Sequence, residues 1–180
     1  MKRSPTLVAL AFAVLALLSG CAGRSSASNG AQPSASPLVL GKTTYAEVVA
    51  RYGPPRSEEA NVQNGQPIKT LIYAKSGAGG GRLTFFNFSN LLLVGHNVRR
   101  DASEIDLNDT KIAVIKEGET TERQVLGLLG EPSGQFIYPL TSHKGDTGFG
   151  YIDRRARKTL RIIFSTDGVV RHVDLQVVPG

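Results

Sequence analysis

Cysteine is nearly absent from this chain of 180 residues, which contains only Cys21. A single thiol cannot form an intramolecular disulfide, and it leaves no Cys/His spacing of the kind that holds a structural zinc ion. Histidine is also scarce, because the chain has only His96, His143 and His172, with no pair at a metal-binding spacing. The sequence therefore predicts neither a metal nor a cofactor.

Signals of catalysis and of nucleotide or nucleic-acid binding are also missing. No nucleophile lies at a strand-to-helix elbow, so we expect no enzyme. The Gly41-Lys42-Thr43 sequence lacks the earlier glycine of a phosphate-binding loop, and the glycine-rich run 77–81 leads into a strand. The net charge of +6 is not arranged as a basic stripe interleaved with aromatic residues. We therefore expect no small-molecule substrate and no nucleic-acid partner.

Long apolar runs are limited to one, near the N-terminus, from Leu7 to Leu18. Its 12 residues are too few for a membrane-spanning helix, which needs roughly 20. Lys2 and Arg3 precede the run and the small residues Ser19 and Gly20 follow it, which is the order of a secretory signal. Residues 1–20 are therefore predicted to be a signal peptide that is removed.

The sequence Leu18-Ser19-Gly20-Cys21 resembles the lipobox of bacterial lipoproteins. The resemblance implies acylation of Cys21, for example by palmitate, and cleavage of the chain just before it. An aspartate directly after the lipidated cysteine would resemble a signal for retention in the inner membrane, but this position holds Ala22. We therefore expect the protein in the outer membrane, on its periplasmic side. A plain signal peptide followed by an incidental cysteine is the alternative.

Residues 21–36 comprise the lipidated cysteine and a Ser/Ala/Gly-rich linker without apolar periodicity. Such a segment buries too little surface to order itself. As a flexible coil it would span about 20–25 Å. It is predicted to hold the folded part of the chain near the membrane without fixing its orientation.

The rest of the chain repeats itself with an offset of 77 residues, because the segment 41–55 returns as 118–132. Each copy predicts a short helix that opens with a capping box, formed by Thr44 and Glu47 in the first copy and by Thr121 and Gln124 in the second. Each helix is predicted to close on a left-handed glycine followed by a proline. These closing residues are Gly53 with Pro55 and Gly130 with Pro132.

Three antiparallel strands follow each helix in the predicted repeat, where β-prone runs are separated by turn residues. They are expected at 70–74, 82–86 and 91–98, and again at 149–153, 159–163 and 169–178. The fold class is therefore α+β, with two tandem units at 37–108 and 109–180. Each unit is expected to pack one or two short helices on a three-stranded sheet. Because a unit of this size is marginally stable alone, the two are expected to pack together.

This pattern resembles the SmpA/OmlA family of BamE-like outer-membrane lipoproteins. The matching residues are Gly118, Thr120, Thr121, Val125, Gly130, Pro132, Leu160, Ile162, Phe164 and Gly168. The first unit has Leu91 at the position of Gly168. The tandem arrangement also looks like the β-lactamase inhibitor protein, in which two similar units form a protein-binding face. Both resemblances imply a binding role without catalysis.

Two surface features remain open at this level. The predicted hairpin turn after Asp153 carries four cations, Arg154, Arg155, Arg157 and Lys158, which Arg99 and Arg100 could join. This turn is either a solvated hairpin or a patch for anionic lipid or an acidic partner protein. Phe85, Phe86 and Phe88 occupy both phases of one strand, so at least one of them faces away from the core. That ring either lies between the units or contacts a partner.

Together these observations predict a lipid-anchored lipoprotein of the outer membrane that faces the periplasm. It would bind a protein partner in β-barrel assembly or envelope maintenance. The alternative is a lipoprotein that inhibits or sequesters an envelope enzyme.

Overall fold

The computed structural model describes residues 37–77, 80–101 and 105–177, so the signal segment and the whole linker with Cys21 lie outside it. The described residues fold as an α+β protein with three short helices and one eight-stranded antiparallel sheet. No helix in the described part of the chain is long and apolar enough to cross a membrane. In chain order the elements are α1 (Tyr45–Tyr52), β1 (Ser57–Gln63), β2 (Gln66–Lys75), β3 (Arg82–Ser89), β4 (Leu92–Arg100), α2 (Asp109–Ala113), α3 (Glu122–Leu129), β5 (Gly134–Ile137), β6 (Thr147–Asp153), β7 (Lys158–Phe164) and β8 (Val170–Val177).

The strands form a single meander in which each pairs with its neighbours in sequence. The two halves of the chain meet where β4 pairs with β5, with Gly95 opposite Phe136, His96 opposite Gln135 and Asn97 opposite Gly134. The prediction of two separate three-stranded sheets is therefore wrong. The predicted docking of the two units takes the form of strand pairing within one sheet.

Each half contributes four strands, one more than predicted. The strands that were not predicted are β1 and β5. Every residue of β1 is exposed, so this edge strand has no alternation of apolar and polar residues to reveal it. The strand β5 has only four residues and begins at the buried Gly134. A Cβ atom at Gly134 would lie 2.1 Å from the carbonyl oxygen of His96, so the pairing of β5 with β4 requires glycine there.

The two capping boxes are confirmed. The backbone N–H of Glu47 donates to the Thr44 hydroxyl over 3.2 Å, and the Thr44 N–H donates to the Glu47 carboxylate over 2.7 Å. Thr121 and Gln124 make the same two contacts at 3.4 and 2.8 Å. The second half has two helices, within the one or two that were expected, because α2 precedes α3.

The glycines that end α1 and α3 have positive φ, but they are not in the left-handed helical conformation that was predicted. Gly53 has φ 78° and ψ −167°, and Gly130 has φ 75° and ψ −162°. This region of backbone space is open essentially to glycine alone. Each glycine carbonyl accepts a hydrogen bond from a sheet tyrosine, Tyr73 at 2.9 Å and Tyr151 at 3.1 Å. The hydrogen bonds attach the end of each helix to the sheet beneath it.

All three helices pack on one side of the sheet, and the core beneath them divides into two clusters. The first cluster lies under α1 and contains Val48, Leu71, Phe86, Phe88 and Leu93. The second lies under α2 and α3 and contains Leu107, Ile115, Val125, Leu129, Phe149, Tyr151, Leu160, Ile162, Phe164 and Val170. The second cluster includes apolar side chains from α2 and from the segment before it, Ile112 and Leu107 among them.

The repeat is offset by 77 residues in the helices but by 76 in β3 and β7. Phe86 and Phe88 face the helices in β3, and Ile162 and Phe164 take their places in β7. The predicted match of Phe86 to Ile163 was therefore wrong by one residue. The cause is one extra residue in the second hairpin, since Phe164 pairs with Val170, six positions later, whereas Phe88 pairs with Leu93, five positions later. Beyond the hairpin turn, the backbone contacts of Leu93 and Val170 match again at 77.

The substitution Gly130→Val should lower the free energy of unfolding by about 3 kcal/mol, since a β-branched residue is strained at this φ and ψ. A Cβ atom at Gly130 would meet nothing within 4 Å, so the loss would come from the backbone alone. Chemical denaturation would measure it. Gly127→Ala, inside α3, is the control and should stabilise the protein by about 1 kcal/mol. Equal stability of Gly130→Val and the parent would refute this account of the helix end.

Leu91→Gly should stabilise the protein by about 1 kcal/mol. The turn between β3 and β4 holds Asn90 at φ 50° and Leu91 at φ 63°. Two positive φ values define a hairpin turn that favours Asn-Gly, and a side chain in this conformation costs about 1–2 kcal/mol. Leu91→Ala keeps the Cβ atom and is the control, with no gain expected in a thermal melt. A gain in both variants would show that the exposed leucine side chain, and not its backbone, is unfavourable.

Candidate functional site

The side of the sheet opposite the helices, which we call the helix-free face, carries the surface best suited to binding. Strand register assigns to it one side chain in two from each central strand. Its members in β2 to β7 are Ile68, Thr70, Ile72, Leu83, Phe85, Asn87, Gly95, Asn97, Arg99, Gly134, Phe136, Gly148, Gly150, Ile152, Thr159, Arg161 and Ile163. It extends over strands from both halves of the chain.

The middle of the helix-free face is apolar and only partly covered. Leu83, Phe85, Ile152 and Ile163 are all half-buried. Phe86 and Phe88 are buried under α1, so the ring that was predicted to face away from the core is that of Phe85. Because β3 lies one strand away from the β4–β5 junction, this ring does not lie between the two halves.

One end of this face, which we call the loop end, is covered by the segment 138–146 between β5 and β6. Asn64, in the turn between β1 and β2, donates from its amide to the carbonyl oxygens of Pro139 at 2.9 Å and Thr141 at 2.7 Å. A Cβ atom at Gly95 would lie 2.6 Å from the Leu140 side chain, so this glycine makes room for the loop. The loop therefore lies across the sheet from β4 to the β1–β2 turn.

The ring of Phe136 forms a fixed part of the floor beside this loop. A Cβ atom at Gly148 would lie 2.3 Å from the ring, so the ring rests directly on the backbone of β6. The guanidinium of Arg161 lies 4.9 Å from the ring centroid and donates to the Leu140 carbonyl over 3.0 Å. Since both sides of the ring are in contact, Phe136 is held in place before any partner binds.

The opposite end of the helix-free face, which we call the cationic end, is open. Among the described residues, a cavity of about 210 Å³ there is lined by five cations and the Asp101 carboxylate. The five are Arg56, Lys75, Arg82, Arg99 and Arg154. Strand register directs the Arg99 side chain to the helix-free face and those of Lys75 and Arg82 to the helix side. Leu83 and Ala74 lie on the same floor and join the cavity to the apolar middle of the face.

Asp101 holds the cationic end together. Its carboxylate accepts a hydrogen bond from the Gly81 N–H over 2.6 Å and pairs with the Arg154 guanidinium. The backbone hydrogen bond from Gly81 is the largest cause that holds the pKa of Asp101 below its usual range, and the contact with Arg154 is the next. The two contacts also tie the β2–β3 turn of the first half to the β6–β7 turn of the second.

The structure separates the four predicted patch residues of the β6–β7 turn. Arg154 joins Asp101 and Arg99 at the cationic end, and Arg155 is exposed nearby. Lys158 is turned away, because its ammonium lies 2.7 Å from Asp109 and 3.2 Å from the Leu107 carbonyl. Arg157 is exposed, with a φ of 57°.

Three cations of this end, Arg56, Lys75 and Arg82, escaped the sequence analysis. Lys75 ends β2 and Arg82 begins β3, so they flank the same turn. A count of charges at successive strand ends would have found this pair. Arg56 precedes β1, the strand that no pattern revealed.

The three histidines lie in different places. His143 is exposed in the loop 138–146, 3.4 Å from the buried Asp146 carboxylate, which also pairs with Arg171 at 2.9 Å. His172 lies exposed on β8 and contacts Glu117. Within the described ranges, no group of three or more His, Cys, Asp or Glu residues is arranged to hold a metal ion.

A second cavity, of about 580 Å³, lies between β4 and the end of α3, and Ile152 of β6 is also among its lining residues. Its polar and charged lining residues are His96, Arg100, Glu131 and Ser133. Burial lowers the pKa of His96. The cavity therefore presents a predominantly neutral imidazole at pH 7 between two groups of opposite charge.

Comparison with solved structures finds a distant likeness of fold. No family model and no curated protein matches this chain, so the SmpA/OmlA resemblance stays a prediction. The fold is similar to the solved crystal structure of a "putative beta-lactamase inhibitor protein" from Streptococcus mutans. The identity is 15%, the TM-score is 0.45, and the match covers 74% of this chain and 82% of the other. A likeness this distant carries no argument about function.

Proposed function

We propose that this chain is an exported, lipid-anchored protein that binds a protein partner through the helix-free face of its sheet. The observation that carries the proposal is the open apolar surface around Leu83, Phe85 and Ile152, which ends in a cluster of cations. Aromatic residues and arginine are the types enriched in the cores of protein interfaces.

The form of this surface supports recognition of another protein. The helices cover the other side of the sheet, so the helix-free face is free to contact a partner. Its floor is preorganised, since Phe136 rests on Gly148 beneath Arg161. Little side-chain freedom would be lost there on binding, and such preorganisation favours affinity.

The anchor is proposed from the sequence alone. A signal segment followed by Cys21 would leave three acyl chains on one residue of the mature protein. A single myristoyl chain binds membranes only marginally, and each further buried CH₂ group adds about 0.8 kcal/mol. Several chains would therefore hold the protein at the envelope, where its partner is also expected.

Binding through this face is consistent with two functions, which differ in the identity of the partner protein. In the first, suggested by the SmpA/OmlA resemblance, the partner belongs to the outer-membrane β-barrel assembly machinery. In the second, the protein inhibits or sequesters an envelope enzyme. Loss of the gene should reduce outer-membrane protein levels in the first case and change a hydrolytic activity in the second.

Cys21→Ser should move the protein from the membrane fraction to the soluble fraction of the cell, because no acyl chain could then be attached. Fractionation followed by immunoblotting would measure the change. The control is Ser25→Ala in the linker, which should leave the protein with the membrane. Recovery of Cys21→Ser with the membrane would refute lipid attachment at this residue.

A photo-crosslinking residue in place of Phe85 should give a crosslinked product with one partner protein in intact cells, and so should one at Ile152. Val114 is the matched control, because it is apolar and 51% exposed but lies on the helix side. Mass spectrometry would identify the partner. The same product from all three positions, or none from Phe85 and Ile152, would overturn the proposed binding face.

A further inference from the structure

We infer that the outer edge of β8 is a strand-addition site at which a second copy of this chain pairs antiparallel, with Leu175 opposite Leu175 of that copy. This association is separate from the proposed binding through the helix-free face and does not depend on it. The argument comes from the repeat, from the outward backbone groups of β8 and from the side chains along this edge.

Strand β8 is the counterpart of β4, but it forms the edge of the sheet. In β4 the Val98 N–H points away from β3 and donates to the Ser133 carbonyl over 2.8 Å, just before β5. Leu175 takes the place of Val98, 77 residues later. Among the described residues, no strand pairs with the outer side of β8 from Val173 to Val177. The position that β5 fills beside β4 therefore has no described strand beside β8.

The backbone groups of three residues in β8 face outward. The Val173 N–H donates to the Glu117 carboxylate over 3.0 Å, so it points away from β7. Because backbone direction alternates along a strand, the N–H and C=O groups of Leu175 and Val177 point the same way. An edge that presents such groups is a template for pairing with another strand.

This edge is complementary to a copy of itself. A two-fold axis through the Leu175 pair places Val173 opposite Val177 of the second copy, so outward backbone groups of one strand meet outward groups of the other. Asp174 then lies opposite Gln176, and the same hydrogen bond joins these two side chains within one chain over 3.1 Å. An axis one residue earlier would set Asp174 opposite Asp174, and like charges directly opposite are unfavourable.

The side chains on the helix side of this edge are apolar and incompletely covered. Val173 packs against the second core cluster, whereas Leu175 is 38% exposed and Val177 is 60% exposed. Pairing of two copies would place these three side chains beside their counterparts and extend the second core cluster across both chains. Burial of this apolar surface would favour association.

The other edge strand, β1, is unsuited to the same position. It is the counterpart of β5, with Ser57 opposite Ile72 as Gly134 is opposite Gly150. A Cβ atom at Gly134 would lie 2.1 Å from the His96 carbonyl oxygen of β4. Ser57 has that Cβ atom, so β1 of a second copy cannot lie on β8 as β5 lies on β4. Pairing of β8 with β8 gives a closed dimer and not a growing chain of copies.

Glu117 limits the strength of this association. Its carboxylate accepts the Val173 N–H that would otherwise donate to Val177 of the second copy, and it also contacts His172 at 3.0 Å. Pairing must displace this carboxylate in both chains. Glu117→Ala should therefore tighten the association about tenfold or more, because two hydrogen bonds no longer compete with it.

The test uses the full chain carrying Cys21→Ser, purified in a mild detergent, so that neither acyl chains nor the apolar run 7–18 can join two copies. Leu175→Cys then introduces the only thiol. Val62→Cys is the matched control, because Val62 is 67% exposed on the other edge strand. Copper phenanthroline oxidises the thiols, and gel electrophoresis without reductant detects covalent dimers. Directly opposite Cβ atoms lie about 4.5–5.5 Å apart, so a small movement allows a disulfide.

We expect Leu175→Cys to form a covalent dimer and Val62→Cys to remain a monomer. In sedimentation equilibrium, the chain carrying Cys21→Ser alone should associate reversibly as its concentration rises. Leu175→Lys should weaken that association about tenfold or more, because two ammonium groups would then lie opposite each other. Val62→Lys should leave it unchanged, and a thermal melt checks that each variant is folded.

Three results would overturn the inference. The first is the absence of a covalent dimer from Leu175→Cys, or an equal yield from Val62→Cys. The second is an affinity that neither Glu117→Ala nor Leu175→Lys alters. The third is a covalent dimer from Gln176→Cys in place of Leu175→Cys, which would show a different register from the one stated.

Discussion

The pairing of β4 with β5 is the interaction on which the rest of this structure depends. It spans only three residue pairs, and at one end a glycine faces a full-sized residue, Gly134 opposite Asn97. A Cβ atom at Gly134 would lie 2.1 Å from the His96 carbonyl and 2.7 Å from the Asn97 Cα. No other residue type could bring the two strands this close. The eight strands therefore form one sheet because of a single small residue at the junction.

The continuous sheet explains the position of the candidate binding surface. Because the helices of both halves pack on one side, the opposite side is shared by strands of both halves. The cationic end likewise draws Arg99 from the first half and Arg154 from the second. Asp101 keeps them together through the Gly81 N–H and Arg154. Neither half alone could form this cavity.

The elements that were predicted correctly depend on contacts between residues close in sequence. The capping boxes join residues three apart, and the turn that forms α2 is equally local. Strands β2, β3, β6 and β7 were found because buried apolar side chains recur along them. Strand β1 was missed because no side chain in it is buried, so only its pairing with β2 reveals it. In β7 the 77-residue offset predicted the wrong inward-facing residues by one position, because an extra residue in the following hairpin shifts which side chains face the helices.

The sequence by itself determined the helices and their ends, the two-fold repetition and the class of fold, together with the expectation of export and acylation at Cys21. These follow from short-range hydrogen bonding and from the spacing of apolar residues. Only the tertiary structure decided that the repeats share one sheet, that Phe85 lies opposite the helices, and that Lys158 is paired with Asp109 while Arg154 joins the cationic end. Those outcomes depend on strand register and on contacts across more than twenty residues, which no local pattern encodes.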